Sequence, residues 1–182
     1  VTFATVAQVF GELTYIDGNL VGSDKVDVGG SAQLVGTWPF DLRADGSWTL
    51  QADQVVEGDL YHYSGTMDLN GYNLTVNGSH IQTGDGMTLC STGSYSIAQD
   101  ATFSGTGGIN VVNCQVSIGG NFTTTESSRL VMQYAAGVID VEGSVTIGGS
   151  ACAAYSNYYI STGTIKVGGD FIQLGTGQNT TT

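Results

Sequence analysis

Ile118-Gly119-Gly120-Asn121-Phe122 decides how this chain is read, because the same five-residue pattern recurs along it. The pattern is an apolar residue, any residue, glycine, a small polar residue and a second apolar residue. Copies stand at Ile16-Asp17-Gly18-Asn19-Leu20, Val28-Gly29-Gly30-Ser31-Ala32, Val56-Glu57-Gly58-Asp59-Leu60, Val141-Glu142-Gly143-Ser144-Val145 and Val167-Gly168-Gly169-Asp170-Phe171. Looser copies are Gly46-Ser47-Trp48 and Val76-Asn77-Gly78-Ser79. Around the glycines apolar and polar residues alternate, as in Met67-Asp68-Leu69, Leu74-Thr75-Val76, Val116-Ser117-Ile118, Val145-Thr146-Ile147 and Ile165-Lys166-Val167. A period of two over so few residues marks short strands with one buried face. The glycine is expected to supply the positive φ of a sharp corner, and the polar residue after it to hydrogen-bond the turn backbone.

In the second half the marker glycines are Gly58, Gly78, Gly120, Gly143 and Gly169, at steps of 20, 42, 23 and 26 residues. Steps of this size fit one coil of a solenoid, the long one being two coils with a degenerate copy near Ala101. Between residues 11 and 57 the copies at Gly18, Gly30 and Gly46 are closer together and do not phase with the rest. Asp17-Gly18, Asp45-Gly46, Asn70-Gly71, Asn77-Gly78 and Asp85-Gly86 are also preferred hairpin dipeptides, so an antiparallel β-sandwich or jelly roll is the alternative. Sandwich strands have no reason to resemble one another, and repetition therefore favours an all-β, right-handed parallel β-solenoid, a β-helix. The chain divides into an N-terminal capping or donor strand at 1–11, coils over 12–175 and a polar tail at 176–182, all in one domain.

Composition limits the function. Glycine reaches 28 residues and proline one, while only 11% of residues are charged. Sixteen acidic residues stand against four cations, Lys25, Arg43, Arg129 and Lys166, which excludes nucleic acid as a partner because phosphate binding needs clustered positive charge. No apolar run is long enough for a membrane span. A start at Val1 rather than methionine is read as a removed targeting segment or a fragment of a longer chain, and both favour an extracellular or cell-surface location. Asn73, Asn77, Asn121 and Asn179 open glycosylation sequons. Cys90, Cys114 and Cys152 are too few for a disulfide scaffold; a single Cys90–Cys114 bridge stands against three buried thiols.

The stretch Ser64-Gly65-Thr66-Met67-Asp68-Leu69-Asn70-Gly71-Tyr72-Asn73-Leu74-Thr75-Val76-Asn77-Gly78, with Val56–Leu60 before it and Gly163–Phe171 after it, resembles repeats in large bacterial surface proteins. These are the adhesin and haemagglutinin-like right-handed β-solenoids. The resemblance covers residues 11–175 and implies an architecture and a surface location; it carries over no functional residue.

Candidate sites are few. Lyases on β-helices need a base and converging cations, and Arg43, Arg129 and Lys166 are far apart in sequence, so the chain is not expected to be an enzyme. Asp17, Asp24, Asp27, Asp45, Asp85 and Asp170 lie in or near glycine turns, where calcium is the one cofactor their oxygens would suit, although no dedicated calcium loop is present. Tyr155, Tyr158 and Tyr159 beside Asn157 interrupt the repeat and form a candidate carbohydrate site for a surface glycan. His62 and His80 lie about one coil apart, in reach of a stacked pair, without a third ligand for zinc. The uncharged segment holding Val1, Phe3, Val6, Val9 and Phe10 is the candidate assembly strand. It would cap its own sheet or add to a neighbour's, making a second copy of the chain the favoured partner. The expectation is a structural or adhesive surface protein.

Overall fold

The computed structural model describes residues 6–10, 13–14, 25–29, 32–33, 36–39, 41–148, 160 and 162–174. The chain winds as a parallel β-solenoid in which each coil visits three sheets in turn. Its strands are β1 (Val6–Phe10), β2 (Leu13–Thr14), β3 (Lys25–Gly29), β4 (Ala32–Gln33), β5 (Gly36–Trp38), β6 (Asp41–Asp45), β7 (Trp48–Thr49) and β8 (Gln54–Val56). Then follow β9 (Leu60–Ser64), β10 (Thr66–Asp68), β11 (Leu74–Val76), β12 (His80–Gln82), β13 (Met87–Cys90), β14 (Ser94–Ile97), β15 (Ala101–Phe103) and β16 (Gly108–Val111). The last are β17 (Gln115–Ile118), β18 (Phe122–Thr124), β19 (Arg129–Val131), β20 (Val138–Val141), β21 (Val145–Ile147), β22 (Thr164–Val167) and β23 (Phe171–Gln173).

Sheet 1 has nine strands in the order β1-β3-β6-β9-β12-β15-β18-β21-β23, and sheets 2 and 3 have seven each. Sheet 2 runs from β2 to β19 and sheet 3 from β5 to β22, and the strand pairings are parallel. The sandwich alternative is thereby set aside, since no two consecutive strands pair as a hairpin among the described residues. Asn70-Gly71 shows why the dipeptides were ambiguous. Both residues have positive φ, 49° and 87°, and Tyr72 N donates to Leu69 O at 2.8 Å, so the turn has the backbone signs of a type I′ hairpin turn. Yet β10 before it pairs with β7 and β13, and β11 after it with β8 and β14. The turn is used as a corner between two sheets.

The core is built from inward columns stacked in register. In sheet 3, Trp38, Val56, Val76, Ile97, Ile118 and Val141 lie one upon another and are all buried. In sheet 1 the matching column is Leu42, Leu60, His80, Ala101, Phe122 and Val145. Each strand presents only two or three residues, so one coil cannot bury its apolar face alone; neighbours above and below complete it.

The marker glycines are required for a reason other than the one expected from sequence. Gly58, Gly78, Gly120, Gly143 and Gly169 stack at the corner from sheet 3 to sheet 1, and none of them has a positive φ. Their amides donate in succession to the carbonyl one coil earlier, Gly120 N to Gln99 O and Gly143 N to Gly120 O, both at 3.0 Å. A Cβ on Gly143 would sit 2.6 Å from Gly120 O and 2.7 Å from Asn121 Oδ1, so space, not backbone sign, selects glycine. The positive-φ residues lie at the next corner, where Gly65 packs on Gly46, both at positive φ, and Gly105 stacks on Gly84, with Glu126 continuing that column at φ 56°. The degenerate copy near Ala101 is Gln99-Asp100-Ala101: Gln99 occupies the glycine place, its amide donating to Gly78 O at 3.2 Å. The early copy Val28–Ala32 straddles β3 and β4, the corner from sheet 1 to sheet 2. It therefore marks a different corner from the later copies, which is why its spacing did not phase. The copy Ile16–Leu20 lies outside the described residues.

Short polar side chains at the corner from sheet 3 to sheet 1 join the coils, most of them following a marker glycine. Asp41 Oδ1 accepts from Asp59 N at 2.8 Å, and Asp59 Oδ1 from Ser79 N at 2.7 Å. Asp100 Oδ1 accepts from Asn121 N at 2.7 Å, Asn121 Oδ1 from Ser144 N at 2.9 Å, and Ser144 Oγ from Asp170 N at 3.0 Å. A second ladder runs along the corner from sheet 2 to sheet 3, where Asp53 takes both Asn73 N and Asn73 Nδ2 and Asn73 Oδ1 takes Ser94 N. The Asn73 amide holds the Asp53 carboxyl below its ordinary pKa.

Two substitutions check this account. Gly143→Ala is expected to destabilise the fold by about 1–3 kcal/mol through the clash with the coil beneath, read as a lower urea midpoint. Asp100→Ala, which leaves the Asn121 amide without its acceptor, is expected to cost about 1 kcal/mol in the same assay.

Candidate functional site

The described parts of the rod offer three features with chemistry beyond the ladder: a sealed cross-link, a polar cluster in the core and the two edges of the sheets. Cys90 ends β13 and Cys114 immediately precedes β17 one coil later. Their sulfurs are bonded, with Cα atoms 5.7 Å apart, and both residues are fully buried. The bridge ties sheet 2 of one coil to the following corner of the next. Cys152 lies outside the described residues.

The core cluster centres on the two histidines. In β9 the inward positions are Leu60 and His62, and in β12 they are His80 and Gln82. Parallel register sets this: His80 lies between Leu60 and Ala101, and Gln82 between His62 and Phe103. The two imidazoles stack with ring centroids 6.4 Å apart and planes 18° from parallel. Trp48 lies beyond His62 at 6.4 Å, and Phe103 meets His80 edge-on at 5.0 Å. His62 Nε2 is 3.0 Å from Ser64 O; a carbonyl only accepts, so this nitrogen carries the proton and donates. Tyr95, inward in β14, reaches across the interior to place its hydroxyl 2.7 Å from His80 Nδ1.

Satisfaction stops there. His62 Nδ1, His80 Nε2 and both amide atoms of Gln82 are buried without a hydrogen-bond partner. Burial drives the His62 pKa below the ordinary value, opposed by the Ser64 and Gly65 backbone and by the Asp45 and Asp85 carboxylates. Burial holds His80 well below it, with the neighbouring His62 acting in the same direction. The Tyr95 phenol is pushed well above its usual range by burial. Both imidazoles are therefore neutral at pH 7. A neutral pair of this kind can accept protons only by opening, since nothing apolar around it would solvate two cations.

The sequence-derived candidates divide as follows. Val6, Val9 and Phe10 lie on β1, the first strand of sheet 1, paired to β3; Val1 and Phe3 lie outside the described residues. Tyr155, Tyr158 and Tyr159, with Asn157, also lie outside them, as does Asn179. Asn73, Asn77 and Asn121 are exposed at corners, and their side-chain amides are committed to the coil before: Asn73 to Asp53, Asn77 to Glu57 and Asn121 to Asp100. Arg43 is on sheet 1 over the ring of Tyr63 at 4.3 Å, Arg129 on sheet 2, and Lys166 on sheet 3 paired with Asp140 at 3.1 Å. Stacking does not bring these cations together. Among the turn aspartates, Asp27, Asp45, Asp85 and Asp170 are described and Asp17 and Asp24 are not. Among the described residues no three His, Cys, Asp or Glu side chains group as metal ligands. A shallow groove of about 420 Å³ crosses sheet 3 over Ser96, Ser117, Gly119, Asp140 and Glu142, lined by small residues and two acids.

At the last described rung the columns lose their cover. Val145 is fully buried, whereas Phe171, its partner in the next rung, is 52% exposed, with Ile172 and Leu174 also exposed beside it. No family model, no curated protein and no solved structure matches the chain.

Replacing Cys90 and Cys114 together by serine is expected to remove about 3 kcal/mol of stability, from the loop of 24 residues that the bridge closes in the unfolded chain. With Cys152 replaced by serine, the native protein should react with a thiol probe only after unfolding in reductant, because the Cys90 and Cys114 sulfurs are sealed in the core.

Proposed function

We propose that this chain is an extracellular structural element: a stiff β rod that serves as a filament subunit or as one segment of a larger adhesin, joined to its neighbour by β-strand addition. The observation that carries the reading is the last described rung of sheet 1. There β23 closes a sheet of nine parallel strands, and the column that is buried from Leu42 to Val145 ends in an exposed Phe171. A further rung laid on β22 and β23 covers Phe171, which continues the inward column, and satisfies the backbone edge in one step. At the other end β1, with Val6, Val9 and Phe10, is the edge of the same sheet and offers a parallel partner of the right polarity. A second copy of the chain supplies such an edge.

Other features support the surface location. A buried disulfide persists in oxidising surroundings, and few charges with a glycine-rich, ladder-pinned backbone suit a protein whose task is its shape. The likeness of the repeats to bacterial adhesin solenoids agrees with this role.

Sedimentation and negative-stain microscopy of purified protein across a concentration series should reveal end-to-end oligomers. Phe171→Asp should dissolve them while leaving the melting temperature of the rod within a few degrees, since the residue contributes little to the rod's own core. Strictly monomeric particles of the unaltered chain at high concentration would sink the filament form of the proposal.

A further inference from the structure

The rod carries a feature that a purely architectural element does not need. Its only two histidines are both in the core, on adjacent strands β9 and β12, the fourth and fifth of the nine strands of sheet 1. They stack on each other, and each has one ring nitrogen with no partner. We propose that the His62–His80 pair is an acid-sensitive joint at the middle of the rod, closed at neutral pH and opening the coils around it when the surroundings turn mildly acidic.

His62 meets Trp48 of β7, the Ser64 carbonyl, and the corner at Gly86, where an added Cβ would come within 3.0 Å of the imidazole. The carboxylates of Asp45, at the end of β6, and Asp85, before β13, act on it from the surface, where both residues are exposed and solvent-screened. His80 meets Phe103 of β15, the Tyr95 hydroxyl of β14 and His62 itself. Tyr95 stays neutral, so no anion stands ready to balance a charge on His80. A proton on one ring also opposes a proton on the other across the 6.4 Å stack. Two like charges in an apolar interior are relieved only by admitting water.

For both imidazoles the folded pKa is depressed below that of the unfolded chain. Such a base binds its proton in the unfolded state first. Stability is fully present above about pH 6.5 and falls as the pH drops below it, until the folded pKa is reached. Two protons taken up on opening raise the opening constant by at most about a hundredfold between pH 7.5 and pH 5.5, up to tenfold for each histidine.

Because the chain contains two histidines only, the imidazole resonances in a proton–nitrogen spectrum belong to this pair. Both should keep neutral chemical shifts in the folded protein down to at least pH 5.5. Over the same range urea unfolding should weaken with a slope approaching two protons. Hydrogen exchange should show residues 60–97 opening before the flanking coils at pH 5.5 and not at pH 7.5. The paired change His80→Phe with Tyr95→Phe keeps the core apolar and removes one titrating group and its partner, so the proton slope should fall by half. Should that variant fail to fold, the resonances of the unaltered protein still decide. Imidazoles that titrate near pH 6.5 in the folded state, or stability unchanged from pH 7.5 to 5.5, would overturn the proposal.

Discussion

Everything in this fold depends on how one coil satisfies the corner of the next. At a corner the regular ladder of a parallel sheet is interrupted, and backbone amides there would be left without acceptors in a half-buried setting. The chain answers with a side-chain oxygen one coil earlier, from Asp41 to Asp59, Asp59 to Ser79, Asp100 to Asn121, Asn121 to Ser144 and Ser144 to Asp170. The residue must be short and carry an acceptor, hence Asp, Asn or Ser. The residue before it comes close to the coil beneath, hence glycine at most rungs, Phe40 before Asp41 and Gln99 before Asp100 being the exceptions. The five-residue pattern is the trace of this constraint, and the stacked core columns follow once the corners hold the coils in register.

That trace made the architecture legible before any coordinates, because a repeat combined with period-two alternation has few other solutions. The flaws in the reading have physical causes. Positive φ is expected at the marker glycines; Gly46 has it, whereas the five from Gly58 to Gly169 do not, and the structure uses it further at Gly65, Gly84 and Gly105 on the corner from sheet 1 to sheet 2. Glu126 and Asn70 adopt positive φ without being glycine, so composition alone could not locate those corners. Gln99 hides one coil because a side chain directed to solvent is accommodated where glycine is the rule. The copies at Val28–Ala32 and Gly46 do not phase with the later ones since they sit at another corner of the coil.

The core cluster was the least legible part. Judged by hydrophobicity, His80-Ile81-Gln82 turns Ile81 inward and the two polar residues out. Parallel register with Leu60 and Ala101 imposes the opposite: His80 and Gln82 are fully buried and Ile81 faces outward, half-buried. Local preference and fold disagree at this strand, which carries three of the buried polar atoms without partners, and again in β13, where Thr88 rather than Met87 or Leu89 is turned inward. Such disagreements concentrate at sites with a task other than stability.

The side-chain acceptors along the corner from sheet 3 to sheet 1 always belong to the earlier coil, and the donors to the later one. A finished coil thus presents a ready template to the segment that follows it, at a separation of 18 to 26 residues. A chain delivered from its N-terminal end can therefore wind vectorially, each newly arrived segment settling on the last without waiting for the remainder. The topology makes synthesis order and winding order the same.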